Sequence, residues 1–188
     1  MPGSRHAPAS GPRLVVLIGA AGSGKSALAR LAWEDGQVLS LDALRGAVAG
    51  DPCDQGATAD AVTILHLLVE ARLRRRLTTV VDATNVQAHA RKPLLGIARR
   101  CAVPAVAVVV DTPVAACLAR NGARPGPAPG ARWGRRVPEA AVREQHTQLR
   151  QSLRSLTREG FAQVITYDGG AARPQQAGKP APSRTAGK

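Results

Sequence analysis

Residues 14–26 read Leu-Val-Val-Leu-Ile-Gly-Ala-Ala-Gly-Ser-Gly-Lys-Ser. The five apolar residues at the start predict a buried strand, and the remainder matches G-x-x-x-x-G-K-S, the pattern of a phosphate-binding P-loop. Glycines at these positions let backbone N–H groups turn inward around a polyphosphate, and the helix expected next directs its positive end at the same anions. Because strand, loop and helix signals occur in the required order, this stretch predicts a nucleoside triphosphate site rather than a chance glycine-rich turn.

The P-loop also predicts how ATP and Mg²⁺ would be held. The loop backbone expected to surround the phosphates consists of Gly19, Ala20, Ala21, Gly22, Ser23 and Gly24. Lys25 is expected to reach the β- and γ-phosphates, and the Ser26 hydroxyl is expected to bind Mg²⁺. Asp82 follows an apolar strand, at the position where P-loop proteins carry a second acidic ligand, so Ser26 and Asp82 are the predicted metal ligands.

Length and composition limit the class of protein. With 188 residues, 44% of them hydrophobic, the chain is expected to form one domain with one core, over residues 14–168. No signal peptide or membrane span is visible, and the cysteines Cys53, Cys101 and Cys117 are widely spaced. These features predict a cytoplasmic protein with reduced thiols.

The charge distribution points to a polyanionic partner. The net charge is +13, and residues 1–13 and 169–188 supply six of these positive charges with no acidic residue, which leaves +7 for the predicted domain. Both terminal segments are rich in Pro, Gly and Ala and are expected to be disordered. Aromatic residues make up only 2%, too few for a base-stacking platform, so a nucleic acid would be held mainly through its phosphates.

Strand and helix signals alternate along the chain. Strands are predicted at residues 14–18, 37–41, 79–81, 105–110 and 162–167, and helices at 24–33, 58–76, 88–101, 112–120 and 139–159, with Thr112 as an N-cap. This alternation predicts an α/β fold, a five-stranded parallel sheet with helices on both faces. Ligands of such sheets bind at the carboxyl ends of the strands, where polar residues should collect.

A second acidic residue, Asp42, is predicted to lie at the end of the second strand and to face the P-loop. A carboxylate there is suited to accept a proton from an attacking hydroxyl, and Arg45 in the next turn is suited to hold either that carboxylate or a phosphate of the acceptor. The alternative from spacing alone is an N-cap aspartate with a surface arginine.

Arginines surround a Pro/Gly-rich segment at about residues 121–136. A loop of this kind beside an ATP site is expected to act as a lid whose arginines neutralise the transferring phosphate. Arg120 and Arg124 are the preferred candidates because they adjoin a predicted helix, whereas the other lid arginines are interpreted as solvated.

Beyond the P-loop, an ordered set of motifs resembles a known family. It comprises Asp42-x-x-Arg45-Gly46, Val80-Val81-Asp82-Ala83-Thr84-Asn85, Ala90-Arg91-Lys92-Pro93-Leu94, Arg120-Asn121, Val142-Arg143-x-Gln145-His146 and Leu156-x-x-Glu159-Gly160-Phe161. The set resembles the 5′-kinase module of bacterial polynucleotide kinase–phosphatase end-healing proteins. The resemblance implies an adenylate-kinase-like sheet, Asp42 as general base on a 5′-hydroxyl, and Arg45 on the acceptor phosphate. It also implies that Arg120 and Arg124 contact the ATP phosphates.

The leading expectation is therefore an ATP- and Mg²⁺-dependent kinase that phosphorylates a 5′-hydroxyl end of RNA or DNA. A kinase for a small-molecule hydroxyl, and a nucleotide switch that hydrolyses ATP slowly and binds a protein partner, are the alternatives. The sequence leaves open whether the chain forms a homodimer.

Overall fold

The structure is a computed structural model that describes residues 11–124 and 136–169. The strands are β1 (Leu14–Ile18), β2 (Val38–Ser40), β3 (Thr79–Asp82), β4 (Ala105–Asp111) and β5 (Gln163–Asp168). The helices are α1 (Lys25–Ala32), α2 (Leu41–Ala49), α3 (Thr58–Arg74), α4 (Ala88–Arg100), α5 (Val114–Gly122) and α6 (Glu139–Leu153). Two short 3₁₀ turns cover Asp35–Gln37 and Leu156–Arg158.

The five strands form one parallel sheet in the order β2-β3-β1-β4-β5, as predicted. β1 is central and fully buried, because β3 and β4 pair with its two edges. All five strands point the same way, so the loops after β1, β2 and β3 emerge together at one edge of the sheet. This edge carries the P-loop, Asp42 and Asp82.

The alternation of side chains along β1 divides the core into two layers. Leu14, Val16 and Ile18 join the larger cluster, which α3, α4 and α6 cover on one face of the sheet. Val15 and Leu17 join a smaller cluster on the other face, where Ala29 of α1 packs. Helices on both faces of the sheet are thus confirmed.

The structure corrects the prediction for the second strand. Strand β2 ends at Ser40, and α2 begins at Leu41, because the Ser40 hydroxyl accepts a hydrogen bond from the Ala43 N–H at 3.4 Å and so caps a helix. Asp42 therefore lies in the first helical turn of α2 rather than at the end of a strand. Arg45 lies one turn further along the same helix.

Two smaller predictions were also wrong. Thr112 is not an N-cap: it is buried, and its hydroxyl donates to the Ser23 carbonyl at 2.8 Å, while α5 starts after Pro113. The last helix was expected to run to residue 159, but α6 ends at Leu153.

Some predictions fall outside the described residues. These are the conformations of residues 1–10 and 170–188 and of the central part of the expected lid, residues 125–135. In the ranges that the structure does describe, no helix is both long and apolar enough to cross a membrane.

Candidate active site

The P-loop turns tightly around two glycines with positive φ. Gly22 has φ 80°, and a Cβ at this position would lie 2.3 Å from the Cys117 carbonyl oxygen of α5. Gly24 has φ 102° and directly precedes α1. Both positions therefore require glycine, one for the close approach of α5 and one for the turn that brings the amino end of α1 to the loop.

Lys25 follows the last glycine of the P-loop, and its side chain folds back into that loop. Its side chain is buried, and Nζ donates to the carbonyl oxygens of Gly19 at 2.8 Å and Ala20 at 2.9 Å. Burial lowers the pKa of Lys25 to about 8; the nearby Asp82 carboxylate opposes this shift, while the charge of Arg124 adds to it. The ammonium group is therefore still mostly protonated at pH 7 but loses its proton more easily than an ordinary lysine, and any added negative charge stabilises the charged form.

Ser26 and Asp82 meet beside Lys25. The Ser26 side chain hydrogen-bonds to the Asp82 carboxylate at the end of β3. Burial raises the pKa of Asp82, whereas the hydrogen bond from Ser26 and the charge of Lys25 act in the opposite direction. A hydroxyl and a carboxylate are oxygen ligands of the kind that Mg²⁺ prefers, and a buried carboxylate gains from a bound cation. The two predicted metal ligands thus fit a divalent cation.

Asp42 lies at the same edge of the sheet, since Ser40 of β2 pairs with Asp82 of β3. Its charge acts on the pKa of both Lys25 and Asp82, yet 55% of its side chain is exposed. The carboxylate therefore lies within electrostatic range of the P-loop and remains open to an acceptor.

Arg45 is the buried partner of the Asp42 carboxylate. Only 7% of its side chain is exposed, and it forms an ion pair with the Asp42 carboxylate. It also donates to the Pro52 carbonyl and the Thr58 hydroxyl, each at 3.2 Å. Of the two roles predicted from the sequence, the structure shows the arginine holding the carboxylate; contact with an acceptor phosphate stays a prediction.

Arg120 of α5 links the P-loop to the residue that follows β5. Its guanidinium donates to the Ser23 carbonyl at 3.3 Å and to the Gly169 carbonyl, just after β5, at 2.8 Å. A Cβ at Gly169 would lie 1.8 Å from the Thr112 hydroxyl, so the chain approaches the P-loop closely here. Arg124 is near enough to influence the pKa of Lys25. Arg120 thus contacts the P-loop, and Arg124, two residues beyond the end of α5, lies within electrostatic range of it.

Two residues of this site had no role assigned from the sequence. Asn121 is 1% exposed, and its side-chain amide pairs with Val137 by donating to the carbonyl at 2.7 Å and accepting from the N–H at 3.0 Å. Gln145 of α6 accepts a hydrogen bond from the Ala21 N–H of the P-loop at 2.8 Å. The motifs Arg120-Asn121 and Val142-Arg143-x-Gln145 contain both residues, but only the fold shows what they touch.

The loop after β3 is held by a buried ion pair. Arg91 is fully buried and donates to the two carboxylate oxygens of Glu159 at 2.8 and 2.6 Å, and to the Asn85 carbonyl at 2.7 Å. Asn85, at φ 48°, donates to the Leu17 carbonyl at 2.8 Å. Its left-handed backbone and its buried amide bound to a main-chain carbonyl are those of a turn residue.

A P-loop, a buried acidic residue at the end of β3 and the five-stranded parallel order β2-β3-β1-β4-β5 together define the P-loop kinase fold. The family model AAA_33, described as an AAA domain, matches residues 14–156. The chain belongs to this family. No curated protein matches it.

Solved structures share the fold. A chain of the Pnkp1/Rnl/Hen1 RNA repair complex is 23% identical with a TM-score of 0.64, and the match covers 82% of this chain and 49% of that chain. This chain therefore spans about half the length of that relative. Kti12 from Chaetomium thermophilum, in complex with ADP-AlF3, is 18% identical with a TM-score of 0.60, covering 82% and 88%. A gluconokinase from Sinorhizobium meliloti is 20% identical with a TM-score of 0.52, covering 87% and 85%.

Proposed function

We propose that the protein is an ATP-dependent kinase that transfers the γ-phosphate to a 5′-hydroxyl end of RNA or DNA. The observation that carries the proposal is the exposed carboxylate of Asp42, fixed by a buried arginine beside a complete P-loop. A nucleotide switch has no need of an exposed base at the acceptor side. The similarity in fold to a chain of an RNA repair complex supports the choice of acceptor.

In the proposed reaction, the acceptor hydroxyl attacks the γ-phosphorus of ATP. A bond forms between this oxygen and phosphorus, the bond to the β-phosphate oxygen breaks, and ADP leaves. Asp42 accepts the proton that the hydroxyl loses, which is general-base catalysis. Arg45 keeps the carboxylate oriented and is itself held by Pro52 and Thr58, so the base needs little reorganisation during the reaction.

The phosphates would be held by groups that the fold already aligns. Lys25 exchanges its bonds to the Gly19 and Ala20 carbonyls for the β- and γ-phosphates. Arg120, anchored on Ser23 and Gly169, would neutralise the charge that develops on the transferring group. Ser26 and Asp82 would hold Mg²⁺, which supplies further positive charge to the phosphates when bound.

The proposed acceptor follows from the charge and composition of the chain. A net charge of +13 favours a polyanion, and the shortage of aromatic residues favours contacts to phosphate rather than to stacked bases. A small-molecule acceptor remains the second candidate, because a gluconokinase has the same fold over most of its length.

The test is incubation with γ-labelled ATP and a panel of 5′-hydroxyl oligonucleotides, matched 5′-phosphorylated oligonucleotides, nucleosides and sugars. We expect label only on 5′-hydroxyl oligonucleotides, and none with the Lys25→Ala variant. Label on a sugar or nucleoside alone would make the protein a small-molecule kinase. Release of phosphate without any labelled acceptor would indicate the nucleotide switch instead.

A further inference from the structure

A groove of about 590 Å³ lies between α3 and α4, on the outer side of the two helices. Its apolar part includes Leu67, which is 65% exposed, together with Pro93 and Ile97. Gly96 leaves the α4 wall open, since a Cβ there would meet only the Arg100 guanidinium, at 3.6 Å. The groove is therefore open along its length, with Leu67 and Pro93 exposed to solvent, and has room for an extended ligand.

The polar lining of the groove is predominantly basic. Lys92, Arg99 and Arg100 of α4 line it, and Glu70 of α3 is the single acidic residue among its lining residues. Glu70 is already paired, at 2.6 Å with Arg74 and at 3.2 Å with Arg100. The groove therefore carries a net positive charge that internal ion pairs do not cancel.

The remaining titratable lining residue, His66, adds no charge at neutral pH. Partial burial lowers the pKa of His66 below its ordinary value, so the imidazole is neutral at pH 7. In the same groove as Leu67 and Pro93, the neutral imidazole offers one flat, weakly polar contact for a nucleobase, in addition to the phosphate contacts that supply most of the binding.

The groove leads away from the acceptor side of the candidate active site. Helix α3 begins at Thr58, whose hydroxyl contacts Arg45. Helix α4 follows Asp82 after a short loop. Both helices precede the start of a parallel strand, so both run from the carboxyl edge of the sheet to its amino edge.

At that far edge, positive charge accumulates. The C-terminal end of α3 and the residues that follow it carry Arg72, Arg74, Arg75 and Arg76, and α4 ends with Arg99 and Arg100. The 17 residues of α3 span about 25 Å, the length of roughly seven stacked nucleotides at about 3.4 Å each.

We propose that the α3–α4 groove binds the single-stranded body of the nucleic acid acceptor, with its phosphates on the α4 basic residues and its 5′ end at Asp42. This inference rests on the proposed function, because it assigns a path to the acceptor of that reaction. Charge complementarity favours a polyanion, and the neutral imidazole and apolar residues of the groove suit a nucleic acid better than an acidic peptide.

The test compares the wild type with Lys92→Gln/Arg99→Gln. Among the described contacts, Lys92 forms no ion pair, and Arg99 bonds only to the Leu95 carbonyl of its own helix, so both changes remove charge without leaving a buried partner. A dye-labelled single-stranded 5′-hydroxyl 20-mer is titrated at several salt concentrations, and phosphorylation of a 20-mer and of a dinucleotide is measured.

We expect the double variant to bind the 20-mer about three- to tenfold more weakly at low salt, with the slope of log affinity against log salt shallower by about 1.4. Phosphorylation of the dinucleotide should be unchanged. The matched control, Arg154→Gln/Arg158→Gln, removes the same charge from exposed residues that do not line the groove and should have a smaller effect. Gly96→Leu, which fills the groove at constant charge, should weaken binding of the 20-mer without changing the slope.

Equal effects of the groove and control variants would overturn the groove proposal, as would equal losses on the dinucleotide and the 20-mer. Displacement of the 20-mer by a polyglutamate peptide at comparable affinity would make the groove a protein-docking site instead. Failure to phosphorylate any oligonucleotide would refute the proposed function. The binding titration does not depend on phosphorylation, so it would still show whether the groove binds a single strand.

Discussion

The carboxylate and the guanidinium of the Asp42–Arg45 pair have very different environments, 55% and 7% exposed. This asymmetry keeps the proposed base accessible and its arginine partner buried. We expect Asp42→Asn to reduce turnover by roughly 10²- to 10⁴-fold while ATP affinity stays within about twofold, because the amide retains the shape of the carboxylate but not its basicity. Initial rates and nucleotide titrations measure the two effects.

Asp60→Asn is the matched control for this prediction, since Asp60 is an exposed acid in the first turn of α3. Its turnover should remain close to that of the wild type. A parallel loss of ATP binding in Asp42→Asn would instead assign Asp42 to the metal site with Asp82.

Lys25 should make nucleotide affinity depend on pH. Burial holds the pKa of Lys25 at about 8, and bound phosphates favour the charged form, so binding above that pH requires uptake of a proton. The affinity for ADP should be nearly constant from pH 7 to 8 and then fall by up to about tenfold per pH unit. Calorimetric titrations between pH 7 and 9.5 measure this. Lys25→Met should bind weakly with a flat profile, and an equally steep profile in that variant would assign the titration to another group.

At the scale of elements, Asn121 joins the end of α5 to the residues that precede α6. Asn121→Ala leaves the buried N–H and carbonyl of Val137 without this partner, at a cost of about 1–3 kcal/mol for each group. Because Arg120 is the adjacent residue, we expect turnover to fall together with the melting temperature.

A double-mutant cycle separates positioning from general destabilisation. If Asn121 acts through Arg120, then Asn121→Ala should reduce turnover much less in an Arg120→Ala background than in the wild type. Rates are measured well below the melting temperature of the least stable variant. Fully additive losses would show that Asn121 serves stability alone.

The Arg91–Glu159 pair connects α4 to the turn before β5, and it should make stability depend on acid. The hydrogen bonds from Arg91 lower the pKa of Glu159, so the ionised carboxylate stabilises the native state above pH 4.5, and this stabilisation is lost as the pH falls through the lowered value. Glu159→Gln should cost about 3 kcal/mol at pH 7.

Urea unfolding of the wild type and of Glu159→Gln at several pH values tests this prediction. The difference in unfolding free energy should shrink as the pH falls from 5 to 3, because the wild type then loses the same charge. A difference that is constant with pH would mean that packing, rather than charge, holds the two elements together.

At the scale of the whole molecule, the positive charge of the C-terminal residues is expected to contribute to nucleic acid binding. Residues 171–188 carry Arg173, Lys179, Arg184 and Lys188 without an acidic residue. Their removal should make the salt dependence of binding to a long single strand shallower, by at most about 0.7 in slope for each lost phosphate contact. Melting temperature and turnover on a dinucleotide should not change. A lower melting temperature would show that this segment contributes to the folded domain.

Local patterns in the sequence were sufficient to predict the sheet, the P-loop and the position of Asp82 at the carboxyl end of β3. An apolar run predicts a buried strand, glycines at fixed offsets predict the phosphate loop, and polar residues after parallel strands share an edge. Helix α2 was not predicted. Its nine residues follow a three-residue strand directly, and they are too few to show a clear helical periodicity of apolar residues.

The tertiary structure alone decided which distant groups meet. Arg91 pairs with Glu159 across 68 positions, Gln145 reaches Ala21 across 124, and Asn121 pairs with the backbone of Val137. The sequence determined the chemistry available at the carboxyl edge, because strand hydrophobicity and loop glycines act through neighbouring residues. These longer-range contacts depend on how helices pack over the sheet, and no spacing along the chain encodes that packing by itself.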